Sequence, residues 1–70
     1  MKCIGNACEF VHVEWRPADR VYEICNRSDR TVQVTLRSWA EIFFVAIRPH
    51  DSATVSDRAF EYPFQASFLA

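Results

Sequence analysis

Thr31-Val32-Gln33-Val34-Thr35-Leu36-Arg37 decides the fold class of this chain. Val32, Val34 and Leu36 alternate with Thr31, Gln33, Thr35 and Arg37, the period of two expected of a strand with one face in a core and one in water. Valine and threonine also favour pleated backbone. After a polar break at 38–41 comes Ile42-Phe43-Phe44-Val45-Ala46-Ile47-Arg48, apolar at every position before Arg48. Such a run predicts a central strand covered on both faces. Its shortness, its branched and aromatic content, and Pro49 directly behind it favour strand over buried helix. Pro49-His50-Asp51-Ser52 reads as a turn, and Ala53-Thr54-Val55-Ser56 as a short edge strand beyond it.

Upstream, Phe10-Val11-His12-Val13-Glu14-Trp15 places Val11, Val13 and Trp15 on one face and Phe10, His12 and Glu14 on the other. Arg16-Pro17-Ala18-Asp19-Arg20 is the following turn. Val21-Tyr22-Glu23-Ile24-Cys25 is the next strand, with Tyr22 and Ile24 on one side, and Asn26-Arg27-Ser28-Asp29-Arg30 is a polar connection. At the far end Phe64-Gln65-Ala66-Ser67-Phe68 alternates with Phe64, Ala66 and Phe68 inward, and Tyr62-Pro63 is a candidate cis bond. About six strands at roughly 8–12-residue spacing predict an all-β sandwich or small barrel of antiparallel strands. The helical alternative fails, because no long window keeps a helical apolar stripe free of proline or a β-branched run.

Length and charge bound the rest. Seventy residues hold one core, so 1–70 is expected to form a single β domain. A chain of this size buries only about 60% of its unfolded surface and leans on a disulfide, a metal or a partner. Six Phe, two Trp and two Tyr supply large apolar areas. A net charge of −1 argues for neither nucleic acid nor a membrane surface. Seven of the eight basic residues are arginine, a bias that suits oxyanions but also ordinary surface pairing. Met1-Lys2-Cys3-Ile4-Gly5-Asn6 turns polar too early for a secretory leader, and no run approaches the ~18 apolar residues of a membrane span. Three cysteines, an odd number, fit a reducing compartment. The expectation is a cytoplasmic protein.

Tyr22-Glu23-Ile24-Cys25-Asn26-Arg27-Ser28 leads into the alternating strand, and Pro49-His50-Asp51-Ser52 opens a later one. This arrangement resembles the immunoglobulin-like sandwich over about half the chain. The resemblance implies an architecture and no functional residue. The Cys…Trp…Cys spacing of true immunoglobulin domains is absent, and the chain is shorter than their ~100 residues.

Several constellations bear on function. Cys3, Cys8 and His12 offer thiolate and imidazole donors of the kind zinc or copper takes. Four residues separate the two cysteines, however, wider than most knuckles. The competing reading is plain thiols near a chain end, with Cys25 a small core hydrophobe; a Cys3–Cys8 disulfide is a third reading, which requires an oxidising setting that nothing else in the sequence supports. Cys25 with His12 or His50 is the one pairing that nucleophilic catalysis suggests, and nothing orients it. Gly5 is the single glycine, which removes nucleophile elbows and phosphate-cradling loops. A chain this short also lacks material for a deep pocket of ~300 Å³. No catalytic residue and no cofactor is therefore expected. Trp39, Phe43, Phe60 and Tyr62 among arginines raise single-stranded nucleic-acid binding, against the acidic balance. Asp57-Arg58-Ala59-Phe60-Glu61-Tyr62-Pro63-Phe64 places three aromatics in a surface connection, where aromatic and arginine residues make interface hot spots; the equal alternative is that Phe60 and Phe64 fold back to plug the open end of the sandwich. The expectation is a protein-binding or assembly module, self-associating as a homodimer, with Trp39, Arg58, Phe60 and Tyr62 at the interface. Metal and nucleic-acid binding are the alternatives.

Overall fold

In the computed structural model, residues 3–37, 41–59 and 64–69 are described. Their strands are β1 (Cys3–Ile4), β2 (Val11–Arg16), β3 (Val21–Asn26), β4 (Val32–Arg37), β5 (Ile42–Ile47), β6 (Ser52–Ser56) and β7 (Phe64–Phe68). Single 3-10 turns occupy Cys8–Phe10 and Asp57–Ala59. One sheet has the order β1-β7-β4-β5, the other β2-β3-β6. The all-β expectation holds, and the six anticipated strands appear with small shifts at their ends. The seventh, β1, was not anticipated: two residues carry no periodicity to read. It pairs parallel with β7, Cys3 opposite Phe64 and Ile4 opposite Gln65, so the array is not wholly antiparallel.

The alternation in β4 does what its pattern dictates. Val32, Val34 and Leu36 are fully buried and meet Ile47, Val45 and Phe43 across the β4–β5 register. Phe64 and Ala66 complete the four-stranded layer. From the facing sheet, Ile24 is fully buried, with Val11, Val13, Tyr22, Ala53 and Val55 packed around the core. Trp15 lies on the inward side of β2 as expected but at its end, where it stacks on Tyr22 at 4.8 Å between ring centroids. The radius of gyration is 11.1 Å, matching the ~11 Å that size scaling gives for a compact chain of this length.

Three expectations are corrected. Ile42–Ile47 is not a central strand. Among the described residues it is the edge of its sheet, with β4 on one side, and its alternate residues face outward. Asn26 and Ser28 are not surface connection but buried. The Asn26 amide nitrogen faces the carbonyls of Arg30 (2.7 Å), Ile47 (3.0 Å) and Arg48 (3.2 Å). Its Oδ1 accepts from the Ser28 amide (2.9 Å) and lies 2.7 Å from the Ser28 hydroxyl. That hydroxyl also reaches Arg30 O at 2.8 Å. One side chain thus ties the end of β3 to the end of β5 in the opposite sheet. Among the described residues no buried side-chain nitrogen or oxygen lacks a partner, as native interiors require.

The third correction concerns Cys3 and Cys8. They form a disulfide with Cα atoms 5.8 Å apart, not free thiols as the odd cysteine count suggested. The bridge holds residues 3–8 against the free side of β7: the Ala7 amide donates to Ala66 O at 3.1 Å, and the Phe68 amide to Asn6 Oδ1 at 3.1 Å. Gly5 has φ +128°, and a Cβ there would collide with the Ala66 carbonyl oxygen. Only glycine fits. Closing so short a loop contributes about 2 kcal/mol on the chain-entropy account.

Asn26→Ala is expected to lower unfolding free energy by about 2–4 kcal/mol, because several buried partners lose their bonds together. Urea titration followed by circular dichroism reads this. Ser67→Ala, on an exposed outer position, should stay within about 0.5 kcal/mol. Equal effects from the two changes would remove the inter-sheet role of Asn26.

Candidate functional site

The outer face of the four-stranded sheet carries a continuous row through all its strands: Ile4 beside Gln65, Gln65 beside Thr35, Thr35 beside Phe44. The row is polar in the middle and apolar at both ends. At the β5 end Phe44 is 67% exposed and Ile42 52%, with Ala46 exposed two positions along the same face. Placing one face of an all-apolar strand inward necessarily turns the other outward. Among the described residues no strand lies over it or beside it. Strand edges are ordinarily guarded by lysine, proline, inward charge or a bulge. Ile42–Ile47 contains none of the charged residues or prolines.

The other edges differ. Residues 3–8 seal β7, as described above. On β2, outward Arg16 forms ion pairs with Glu14 at 3.4 Å and with Glu23 of β3 at 2.6 Å. β6 is short, with Ser52, Thr54 and Ser56 outward. Among the described residues the β1 and β2 edges expose single apolar residues, Ile4 and Trp15, whereas β5 exposes Ile42, Phe44 and Ala46 in succession on one face with no charge among them.

Of the interface residues expected from the sequence, Trp39, Phe60 and Tyr62 lie outside the described residues. Arg58 stands exposed in the second 3-10 turn, its amide 3.3 Å from the Ser56 hydroxyl. Phe43, a candidate for stacking nucleic acid, packs against the core and is not on the open face. Ile42 and Phe44 were missed as site residues. The available signal was the unbroken apolar run, which demands a cover on two sides and finds one.

The metal reading loses two of its three donors. With Cys3 and Cys8 joined, their sulfurs are not thiolates, and among the described residues no group of three His, Cys, Asp or Glu side chains is placed to hold an ion. Cys25 is the free cysteine, half-buried on the outer face of β3. It lies between His12 on β2 and Ser52 on β6 in the strand register. Its sulfur is 3.9 Å from Glu23 Oε1. Burial first, and the Glu23 carboxylate second, push the Cys25 thiol up from its ordinary range. This environment holds a protonated thiol, the reverse of what an activated nucleophile requires. The concavities that do form are shallow and open to solvent, not deep pockets. Two adjoining open clefts of about 370 and 440 Å³ occupy one end of the sandwich, sharing Arg27 and His50 as a wall.

No family model, curated protein or solved structure matches this chain.

Alkylating the unfolded, unreduced protein should label Cys25 alone, and reduction should raise the count to three by mass. Three labels without reductant would dissolve the Cys3–Cys8 bridge. In the native state, the Cys25 labelling rate should climb at a higher pH than in a cysteine peptide. Glu23→Gln should move that midpoint down, since it removes a charge that opposes the thiolate.

Proposed function

We propose that this chain is a non-enzymatic protein-binding module that associates with a second copy of itself through β5. The observation that carries the reading is Phe44, more exposed than the other large apolar residues described, on an uncharged strand edge. Isolated exposed apolar side chains need no explanation, but one next to Ile42 on an edge with unpaired backbone does. Edge-to-edge pairing satisfies the free amides and carbonyls and covers the apolar face in the same step.

Two-fold symmetry narrows the geometry. Copies related by an axis through an antiparallel pair must place a residue opposite its own equivalent. Centring on Phe44 sets Phe44 against Phe44 and Ile42 against Ala46, all on the outer face. Centring on Val45 sets Phe44 against Ala46. Either register builds an apolar strip in which the rings offset or meet edge to face. Trp39, Arg58, Phe60 and Tyr62, the interface residues expected from the sequence, remain part of this proposal.

The pairings support an immunoglobulin-like reading of the sandwich as well. β2-β3-β6 follows the order of the first, second and fifth strands of that fold, and β4 beside β7 follows its third and sixth. β1 then stands where the last strand would lie. The Cys3–Cys8 bridge supports an oxidising setting in place of the cytoplasm. The raised Cys25 thiol supports a non-enzymatic role.

Sedimentation equilibrium at micromolar concentration tests the association. The wild type should fit a dimer and Phe44→Lys a monomer with unchanged strand content, since lysine on an edge blocks pairing. A wild type that stays monomeric up to its solubility limit overturns self-association. A dimer that persists in Phe44→Lys moves the interface off β5. Tyr62→Ala and Arg58→Ala then report on the residues expected from the sequence in the same measurement.

A further inference from the structure

At the end of the sandwich away from the β4–β5 connection, four segments converge: the first 3-10 turn with Phe10, the 27–30 connection, the 48–51 turn and the end of β7 with Phe68. They border the larger of the two open clefts, about 440 Å³, a volume within the range of small-molecule sites. Its floor is apolar. The Phe10 and Phe68 rings lie 5.6 Å apart at a tilt of 54°. Above them the Arg30 guanidinium carbon sits 4.3 Å from the Phe68 centroid, a cation–π arrangement that keeps the charge at the mouth. Arg27 and His50 form the adjoining wall.

The charges here are unevenly matched. The ion pairs among the described residues involve Arg16, Arg20 and Arg48; neither Arg27 nor Arg30 has a carboxylate partner among them. Asp29 is the one acid on the rim of this cleft, against two guanidiniums and an imidazole. The walls are also held in place. The Arg27 amide donates to Phe10 O at 2.8 Å and the His50 amide to Ser28 O at 3.2 Å, while the Asn26–Ser28 network braces the loop beneath. His50 is fixed at φ +56°, a left-handed conformation uncommon outside glycine. A site braced in advance loses little freedom on binding.

We infer that this cleft binds a small organic oxyanion that carries an aromatic group. Arg27 and Arg30 take the carboxylate or phosphate oxygens, for which the planar fork is suited, and Phe10 and Phe68 take the ring. The site is remote from the role given to β5 and stands without it.

Nitrogen-15 shift titration of the full chain tests this with four probes: phenylacetate, phenyl phosphate, inorganic phosphate and benzyl alcohol. One of the two aromatic anions should give saturable shifts at residues 27–30, His50 and Phe10. Inorganic phosphate and benzyl alcohol should each bind at least about tenfold more weakly. Whichever aromatic anion binds more tightly distinguishes a carboxylate from a phosphate ligand. The double variant Arg27→Gln, Arg30→Gln, both positions exposed, should lose about tenfold or more while its melting curve is retained. Should it lose its fold, Phe10→Ser alone serves as the second variant, with the same loss expected. Absence of saturable shifts with both aromatic anions overturns the inference. So does benzyl alcohol binding as tightly as the anions, or wild-type affinity in a folded variant.

Discussion

The Asn26 carboxamide is the contact on which the sandwich depends. The two layers contribute unequally: the four-stranded sheet buries Val32, Val34, Leu36, Ile47, Phe64 and Ala66, whereas the three-stranded sheet fully buries Ile24 as its one aliphatic residue. Apolar contact alone holds such layers together without fixing how they sit, because it has no direction. The carboxamide has direction. By engaging Arg30, Ile47 and Arg48 carbonyls at once, it fixes where β3 ends relative to β5. It also closes the loop that would otherwise leave those carbonyls buried and unmet. Everything at that end of the molecule, both clefts included, rests on a framework it sets.

Much of this was legible in the chain and some was not, for physical reasons. Val32, Val34 and Leu36 were readable because alternation is a local consequence of pleating. The run from Ile42 to Ile47 was read as strand correctly and as central wrongly. An apolar residue records that a cover is needed and not which molecule supplies it. Asn26 and Ser28 were read as surface because these residues favour turns; their burial depends on carbonyls about twenty positions away, which no local pattern encodes. Cys3 and Cys8 illustrate a counting error. Parity argued against a bridge, yet an odd total needs only one cysteine left over, and Cys25 is that one.

The candidate site was less legible than the fold. Sequence reasoning sought exposed rings in a connection and chose Trp39, Phe60 and Tyr62. Among the described residues, the most exposed ring on a strand edge is Phe44, in a segment whose composition reads as interior. Arginine excess was noted without a location; the fold places two of the seven, Arg27 and Arg30, around one cleft. Surface placement of that kind follows from which loops become neighbours, a property of topology alone.

The bridged segment at residues 3–8 has a further consequence. Among the described residues, with β7 sealed by residues 3–8, β5 is the long open flank of the four-stranded sheet, and under the proposed pairing a body with one adhesive side closes into a pair. Were the bridge cut and the segment displaced, Ala66 to Phe68 would lose their amide and side-chain partners and a second flank would open on the opposite side of the same sheet. Two flanks on one body admit a chain of molecules with no natural stopping point. On the pairing proposed for β5, a single sulfur–sulfur bond would set how many neighbours each molecule can take, and with it the line between a finite assembly and a fibre.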